Sequence, residues 1–154
     1  MGMDIRIAAY GVIVQDGRIL LSHWNEGDRT GWTMPGGGIE DGEHPLEAAQ
    51  REIREETGYE TEIEQLRGID SIVIPASHRI TPGSTTPLHA MRIIYRARIS
   101  GGVLTNEVAG STDEARWIDV HDVTNLDRVE LVDTALRLYE EQPVAGRLSL
   151  DPRS

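Results

Sequence analysis

The segment GGIEDGEHPLEAAQREIREETGY, residues 37–59, opens on glycine and leads into a helix marked at both ends. Pro45 suits the first helical turn, where its missing N–H leaves no bond unmade, and Gly58 suits the position just past the last turn. The pattern predicts a helix over 45–57. At about 100° per residue, Leu46, Ala49 and Ile53 fall on one stripe that should face a core. Glu52 stands three residues before Glu55 and four before Glu56, which puts all three carboxylates within about one side of the helix. Like charges at that spacing cost roughly 0.2–0.5 kcal/mol per pair, and carboxylates at the negative end of a helix dipole are also disfavoured. A divalent cation reverses both penalties, and clustered hard oxygens are what Mg2+ or Mn2+ prefers. On composition alone, a solvated acidic helix face is the commoner explanation.

The glycines in front of the helix change that balance. Trp32-Thr33-Met34-Pro35 runs into Gly36, Gly37 and Gly38, where the backbone can take conformations closed to other residues and bend sharply over a site. Two other phosphate-binding glycine motifs are excluded. No Lys-Ser or Lys-Thr follows, as GxxxxGK[ST] requires, and residues 39–43 intervene where GxGxxG would open its helix directly.

Further out, residues 6–14 are apolar and β-favouring, Gln15-Asp16-Gly17 marks a tight turn, and 18–23 completes a hairpin. Residues 24–31 read as a polar loop. Strands are expected over 63–66, 69–74, 88–99 and 115–120, with a long proline-bounded loop over 75–87. A last helix is expected over 126–141, with Val129, Val132, Leu136 and Tyr139 on its buried side. Hairpins mixed with crossovers imply an α/β or α+β sandwich with a mixed sheet. No repeat, low-complexity tract or linker divides the chain, so a single domain over 1–154 is expected, with 142–154 peripheral to it.

The 154 residues suffice to bury a core. Cysteine is absent, which excludes a disulfide framework, a zinc-thiolate site and a cysteine nucleophile, and fits a reducing compartment. No apolar run approaches the roughly 20 residues of a membrane-spanning helix, and MGMDIRIAAY lacks the pattern of a secretory signal. A cytoplasmic protein without a membrane partner is expected. The net charge of −11, from 26 acidic and 15 basic residues, repels a nucleic-acid backbone, so no nucleic-acid partner is expected. A small phosphorylated ligand would need local positive charge from a metal, a helix N-terminus or well-placed arginines.

These residues reach a resemblance. Gly37, five residues, Glu43, seven residues, and then Arg51-Glu52-Ile53-Arg54-Glu55-Glu56-Thr57-Gly58-Tyr59 resembles the Nudix box, GX5EX7REUXEEXGU, with U aliphatic or bulky apolar. Every fixed position matches, and the one mild departure is Tyr59, where an aliphatic residue is usual. Residues 32–37 are similar to the family's W-x-L-P-G-G entry with Met34 for Leu, and Ala115-Arg116-Trp117-Ile118 resembles a strand often placed near its active site. The resemblance extends from residue 6 to about 141. It implies an α/β/α sandwich and hydrolysis of a nucleoside diphosphate linked to another group.

Carried over residue by residue, the resemblance makes Glu52, Glu55 and Glu56 ligands of Mg2+ or Mn2+, with Glu52 a candidate base. Arg51 joins this catalytic set through an ion pair with Glu43 that fixes the loop on the helix, and Gly58 closes the helix. The carbonyl of Gly37 or Gly38 is a further candidate ligand. An acid from a later loop is common in the family; Glu107, Asp113 and Glu114 are the candidates, with Glu114 nearest the Trp117 strand. Trp24, Trp32, His78, Arg79 and His89 are candidates for stacking a base or binding phosphate. Pro75, sixteen residues after Tyr59, resembles the ADP-ribose pyrophosphatases of the family, whereas the length fits a nucleoside-triphosphate pyrophosphatase equally. A homodimer accords with dimers common among relatives. The alternative is a catalytically silent nucleotide or ADP-ribose sensor on the same fold; such proteins typically lose box glutamates, and this chain keeps them all.

Overall fold

In the computed structural model, which describes residues 2–149, alternation along the first strand separates two packing layers. In β1 (Asp4–Val12), Ala8, Tyr10 and Val12 enter one apolar cluster, while Ala9 faces a second that contains Ala48, Ala49 and Tyr95. The first cluster is closed by α2 (Glu130–Glu141) through Leu131, Val132, Ala135 and Leu138, and the second by α1 (Pro45–Thr57). A Cβ on Gly11 would lie 2.7 Å from the Ile53 side chain, so α1 packs directly onto the strand there.

Two sheets lie between the helices. The first is mixed, in the order β5 (Gly36–Gly38), β1, β7 (Leu88–Gly102), β6 (Tyr59–Ile74), with β1 and β7 parallel and the other pairs antiparallel. The second is antiparallel and built around β3 (Arg18–Glu26), which pairs with β2 (Val14–Gln15), β4 (Arg29–Thr33) and β8 (Thr112–Asp119). The turn into β3 has positive φ at both Asp16 (52°) and Gly17 (75°), the geometry that matches a hairpin's twist. The sandwich with a mixed sheet is therefore present, joined by a second sheet.

Several boundaries differ from expectation. Residues 24–31 are a second hairpin, with Trp24, Asn25 and Glu26 paired to Gly31, Thr30 and Arg29. Their polar composition hid it, because the hairpin projects beyond the core and needs no apolar alternation. Residues 63–74 form part of one long strand whose ladder is interrupted by bulges and then resumes. The last helix starts at Glu130, after a 3-10 turn over Val120–Asn125, with Val129 extended at its N-cap. Its fully buried positions are Leu131, Val132, Ala135 and Leu138, whereas Val129, Leu136 and Tyr139 are only partly buried. Beyond this helix, Ile69 N–H donates to the Gly146 carbonyl at 2.7 Å and Leu148 packs on the first cluster. The expectation for 142–154 lies outside the described residues from 150 onward. Among the described residues, no helix is long and apolar enough to cross a membrane.

Candidate active site

Both ends of α1 are fixed, and this sets the position of its glutamates. The His44 Nδ1 accepts the Leu46 N–H at 3.0 Å, Pro45 begins the helix, and Gly58, at φ +80°, donates to the Arg54 carbonyl at 2.9 Å. Glu52 and Glu56 alternate with the buried Ala49 and Ile53 along one stripe of α1, and Glu52 there reaches the glycines of β5.

Glu56 is 4% exposed, so it is a buried acid and not a surface one. Its Oε2 accepts the Gly36 N–H at 2.8 Å and the Ser22 hydroxyl at 3.3 Å. Burial pushes its pKa well above the ordinary carboxylate value; the Gly36 bond opposes this, and the charges of Glu52 and Glu107 add to it. Glu52 is also raised, first by burial, with Arg51 pulling down and Glu55 and Glu107 pushing up. Glu55 is exposed and meets Arg51 at 3.4 Å.

Arg51 ties this group together. Its Nε and Nη2 donate to the two oxygens of Glu43 at 2.9 and 3.0 Å, Nη2 also donates to the Gly38 carbonyl at 3.1 Å, and Nη1 donates to Glu52 at 3.0 Å. The same bonds hold Glu43 down at a pKa of about 2, with the Glu40 N–H assisting. Because this value lies below the ordinary 4.5, the ion pair stabilises the fold above pH 4.5 and the contribution fades as pH falls toward about 2. Glu43→Gln should therefore melt at lower temperature than wild type at pH 7, with the two curves converging between pH 4.5 and 2. Thermal melts across that range check it, and a constant difference would contradict it.

A cleft of about 470 Å³ opens onto Glu52, Glu56 and the three glycines, within the size range of small-molecule sites. Its walls include Arg6, Tyr10, Trp24 and Arg92, with an apolar end at Ile72, Ile74, Ile80 and Leu88. Of the residues expected to contact a ligand, Trp24 lies here, donating from Nε1 to Glu26 at 3.1 Å. Trp32 does not line the cleft: it meets His23 edge-on at 5.1 Å, carries Arg116 over its ring at 5.2 Å and packs on the first cluster. Arg79 and His78 are also elsewhere. The Arg79 guanidinium clips the loop to the start of β1, donating to Asp4 at 2.6 Å and to the Thr86 carbonyl at 3.0 Å, and the His78 carbonyl accepts from Arg29. His89 bonds Ser71 on the opposite face from Leu88, Ala90 and Arg92.

The candidate acids from outside the box are placed apart from one another. Ser22, which reaches Glu56, is paired with Ala115, so the next pair, His23 with Glu114, points to the other face of the sheet. Glu114 there accepts from Arg116 at 2.8 Å, and Asp113 binds His23 and Asn25. Glu107 is the acid whose charge bears on Glu52 and Glu56, and Thr112 anchors it through its N–H at 3.2 Å and its hydroxyl at 2.7 Å. Arg6, Tyr10, Glu26 and Arg92 were not singled out by the sequence reading. Arg6 shares a strand face with Ala8, Tyr10 and Val12, and a charge continuing an inward-facing register was the available signal.

Among the described residues, no three Asp, Glu or His side chains converge as a ready-made cation site. The positive charge within the acidic group is the Arg51 guanidinium. The donor set nevertheless fits Mg2+ or Mn2+. It consists of hard oxygens, and Glu56 is buried with a backbone N–H and a hydroxyl as partners while two further carboxylates repel its charge.

Known proteins share this chain's family and fold. An ADP-ribose pyrophosphatase of Methanocaldococcus jannaschii is 32% identical over 124 residues, 80% of this chain and 65% of that protein, so the chain spans just under two thirds of that relative. An RNA pyrophosphohydrolase of Pelagibacter ubique is 26% identical over 148 residues, 85% of each. A solved NUDIX hydrolase from Nitrosomonas europaea has the same fold, with a TM-score of 0.74 at 21% identity over 90% of both chains. A family model described as NUDIX domain matches residues 5–139. Since that match runs from the first strand into the last helix, through both sheets and the glutamate helix, the chain belongs to the Nudix family of hydrolases.

Proposed function

We propose that this protein hydrolyses a phosphoanhydride bond in a small nucleoside diphosphate derivative, using a divalent cation held by Glu52, Glu56 and Glu107. Glu55 and the Gly37 or Gly38 carbonyl are the supplementary ligands in this reading. The observation that carries it is the buried Glu56 carboxylate, which lines the cleft with Glu52 beside the glycines and is repelled by the charges of Glu52 and Glu107. When bound, Mg2+ or Mn2+ would neutralise these carboxylates together with the phosphate oxygens and polarise the anhydride. Glu52, which lines the cleft against the Gly37 backbone, is the candidate acceptor of the proton from the attacking water. Arg51 keeps Glu52 oriented, Glu43 keeps Arg51 in place, and the Gly36 N–H orients Glu56. Trp24 and the aliphatic end of the cleft take the base.

The relatives differ in what their names say they act on, so ADP-ribose and nucleoside triphosphates both stand as candidate substrates. The charge of −11 favours free nucleotides over an RNA end. We read the chain as a single cytoplasmic domain, with a homodimer as the assembly to look for.

The decisive experiment is a substrate panel of ADP-ribose, ATP, a nucleotide sugar and 5′-triphosphorylated RNA, with nucleotide and phosphate products detected. Turnover of a free nucleotide is expected with Mg2+ or Mn2+, lost in excess chelator and restored by the metal. Full activity in chelator would overturn the cation's role, and tight binding without product across the panel would favour the sensor reading.

A further inference from the structure

The cleft holds two guanidinium groups in very different states. Arg92 is clamped: its Nε donates to Asp70 at 2.9 Å, and its Nη2 is shared between Asp70 and Glu130. Arg6 makes no ion pair among the described residues, and its side chain makes a single hydrogen bond, from Nη1 to the Tyr10 hydroxyl at 3.4 Å. Of the five N–H donors of an arginine, most are therefore free to meet a ligand. The backbone under Arg6 is fixed in the β1–β7 ladder opposite Ala90, so the guanidinium stands on a rigid element. It also stands beside the glycines, since a Cβ on Gly38 would lie 3.7 Å from its Nη2.

Electrostatics gives this placement a purpose. Surrounding protein disfavours the Arg6 charge, yet Tyr10, Glu52 and Glu26 outweigh that effect and hold its pKa above the ordinary arginine value. The cleft that must admit an anion is lined by three carboxylates, Glu26, Glu52 and Glu56, in a protein of net charge −11. A phosphate entering there meets repulsion unless a fixed cation receives it, and a guanidinium fork matches two phosphate oxygens at once. The opposite end of the cleft, at Ile72, Ile74, Ile80 and Leu88, has no charge to offer and suits a base.

Resting on the hydrolase reading above, we infer that Arg6 is a phosphate-binding residue, receiving the diphosphate of a nucleotide at the Gly38 end of the cleft while the base lies toward Ile72 and Ile80. The test is binding, not turnover. Calorimetry on the full-length protein should show Arg6→Met binding ADP about 10- to 100-fold more weakly than wild type, the value of one or two charged hydrogen bonds. Adenosine, which has no phosphate, should bind both proteins alike. Arg6→Lys, which keeps the charge and loses the fork, should fall between them, and it keeps the test intact should the methionine variant fold poorly. Undiminished ADP affinity in both variants, equal weakening for ADP and adenosine, or no ADP binding by wild type would each overturn the inference. Panel hydrolysis by wild type with an unchanged KM in Arg6→Met would sink this role alone. Arg6-dependent ADP binding without any hydrolysis would sink the hydrolase reading and leave this role standing.

Discussion

Glu56→Gln should lower turnover by about 100- to 1,000-fold, the several kcal/mol that a cation's charge stabilisation supplies, and leave the fold at least as stable at pH 7. The two halves of this expectation come from the same geometry. A glutamine oxygen can accept the Gly36 N–H and the Ser22 hydroxyl that now bond Oε2, so the link between α1 and β5 survives. The charge that is lost is one that burial already disfavours and that Glu52 and Glu107 repel. Removing it relieves the folded protein while depriving a cation of its most enclosed ligand. Glu55→Gln provides the contrast, because Glu55 is exposed and its contact with Arg51 is long at 3.4 Å; its effect on turnover should be smaller. Steady-state rates and thermal melts on both variants check this. Retained turnover in Glu56→Gln, or a large fall in its melting temperature, would remove Glu56 from the centre of the site.

The helix was legible because its boundaries are written in local chemistry. Pro45 and Gly58 act within a turn of where they sit, and α1 spans Pro45–Thr57 as the pattern implies. The Asp16-Gly17 turn was readable for the same reason. What escaped was whatever depends on partners distant in sequence. The hairpin of Trp24–Glu26 with Arg29–Gly31 is held by backbone pairing, which leaves no apolar signature in side chains that meet solvent. The different placement of Glu114 and Glu107 escaped because a strand's facing is set by register. Ser22 opposite Ala115 fixes which face looks at Glu56, and no spacing within residues 107–117 reveals it. Arg79, a candidate for binding phosphate, clips its loop to the start of β1, whereas Arg6, inside an apolar strand, lines the cleft.

The glycines offer a sharper separation of fold from chemistry, since Gly36→Ala and Gly37→Ala should fail in opposite ways. At Gly36, φ is +148°, and a Cβ would lie 2.3 Å from the Ala9 carbonyl oxygen and 2.6 Å from the Tyr10 Cα. Those atoms are backbone in the adjoining strand, where Tyr10 and Gly36 are register partners, so they cannot swing aside without opening the β1–β5 pair. Strain and overpacking together should cost about 2–5 kcal/mol, a fall of roughly 10 °C in melting temperature for a chain of this size. At Gly37, the Cβ would instead meet the Glu52 carboxylate, 2.7 Å from its Cδ and 2.8 and 3.0 Å from its oxygens. That carboxylate is the far end of a flexible side chain and can move, so Gly37→Ala should melt within a few degrees of wild type. Yet the displaced group is the proposed proton acceptor and cation ligand, and a shift of about 1 Å in such a group can cost about 100-fold in rate. Melting curves and turnover measured on both variants should therefore separate: Gly36→Ala unstable, Gly37→Ala stable and nearly inactive. A Gly37→Ala protein with wild-type turnover would show that Glu52 need not occupy its place against the glycine strand, and the role assigned to Glu52 would fall with it.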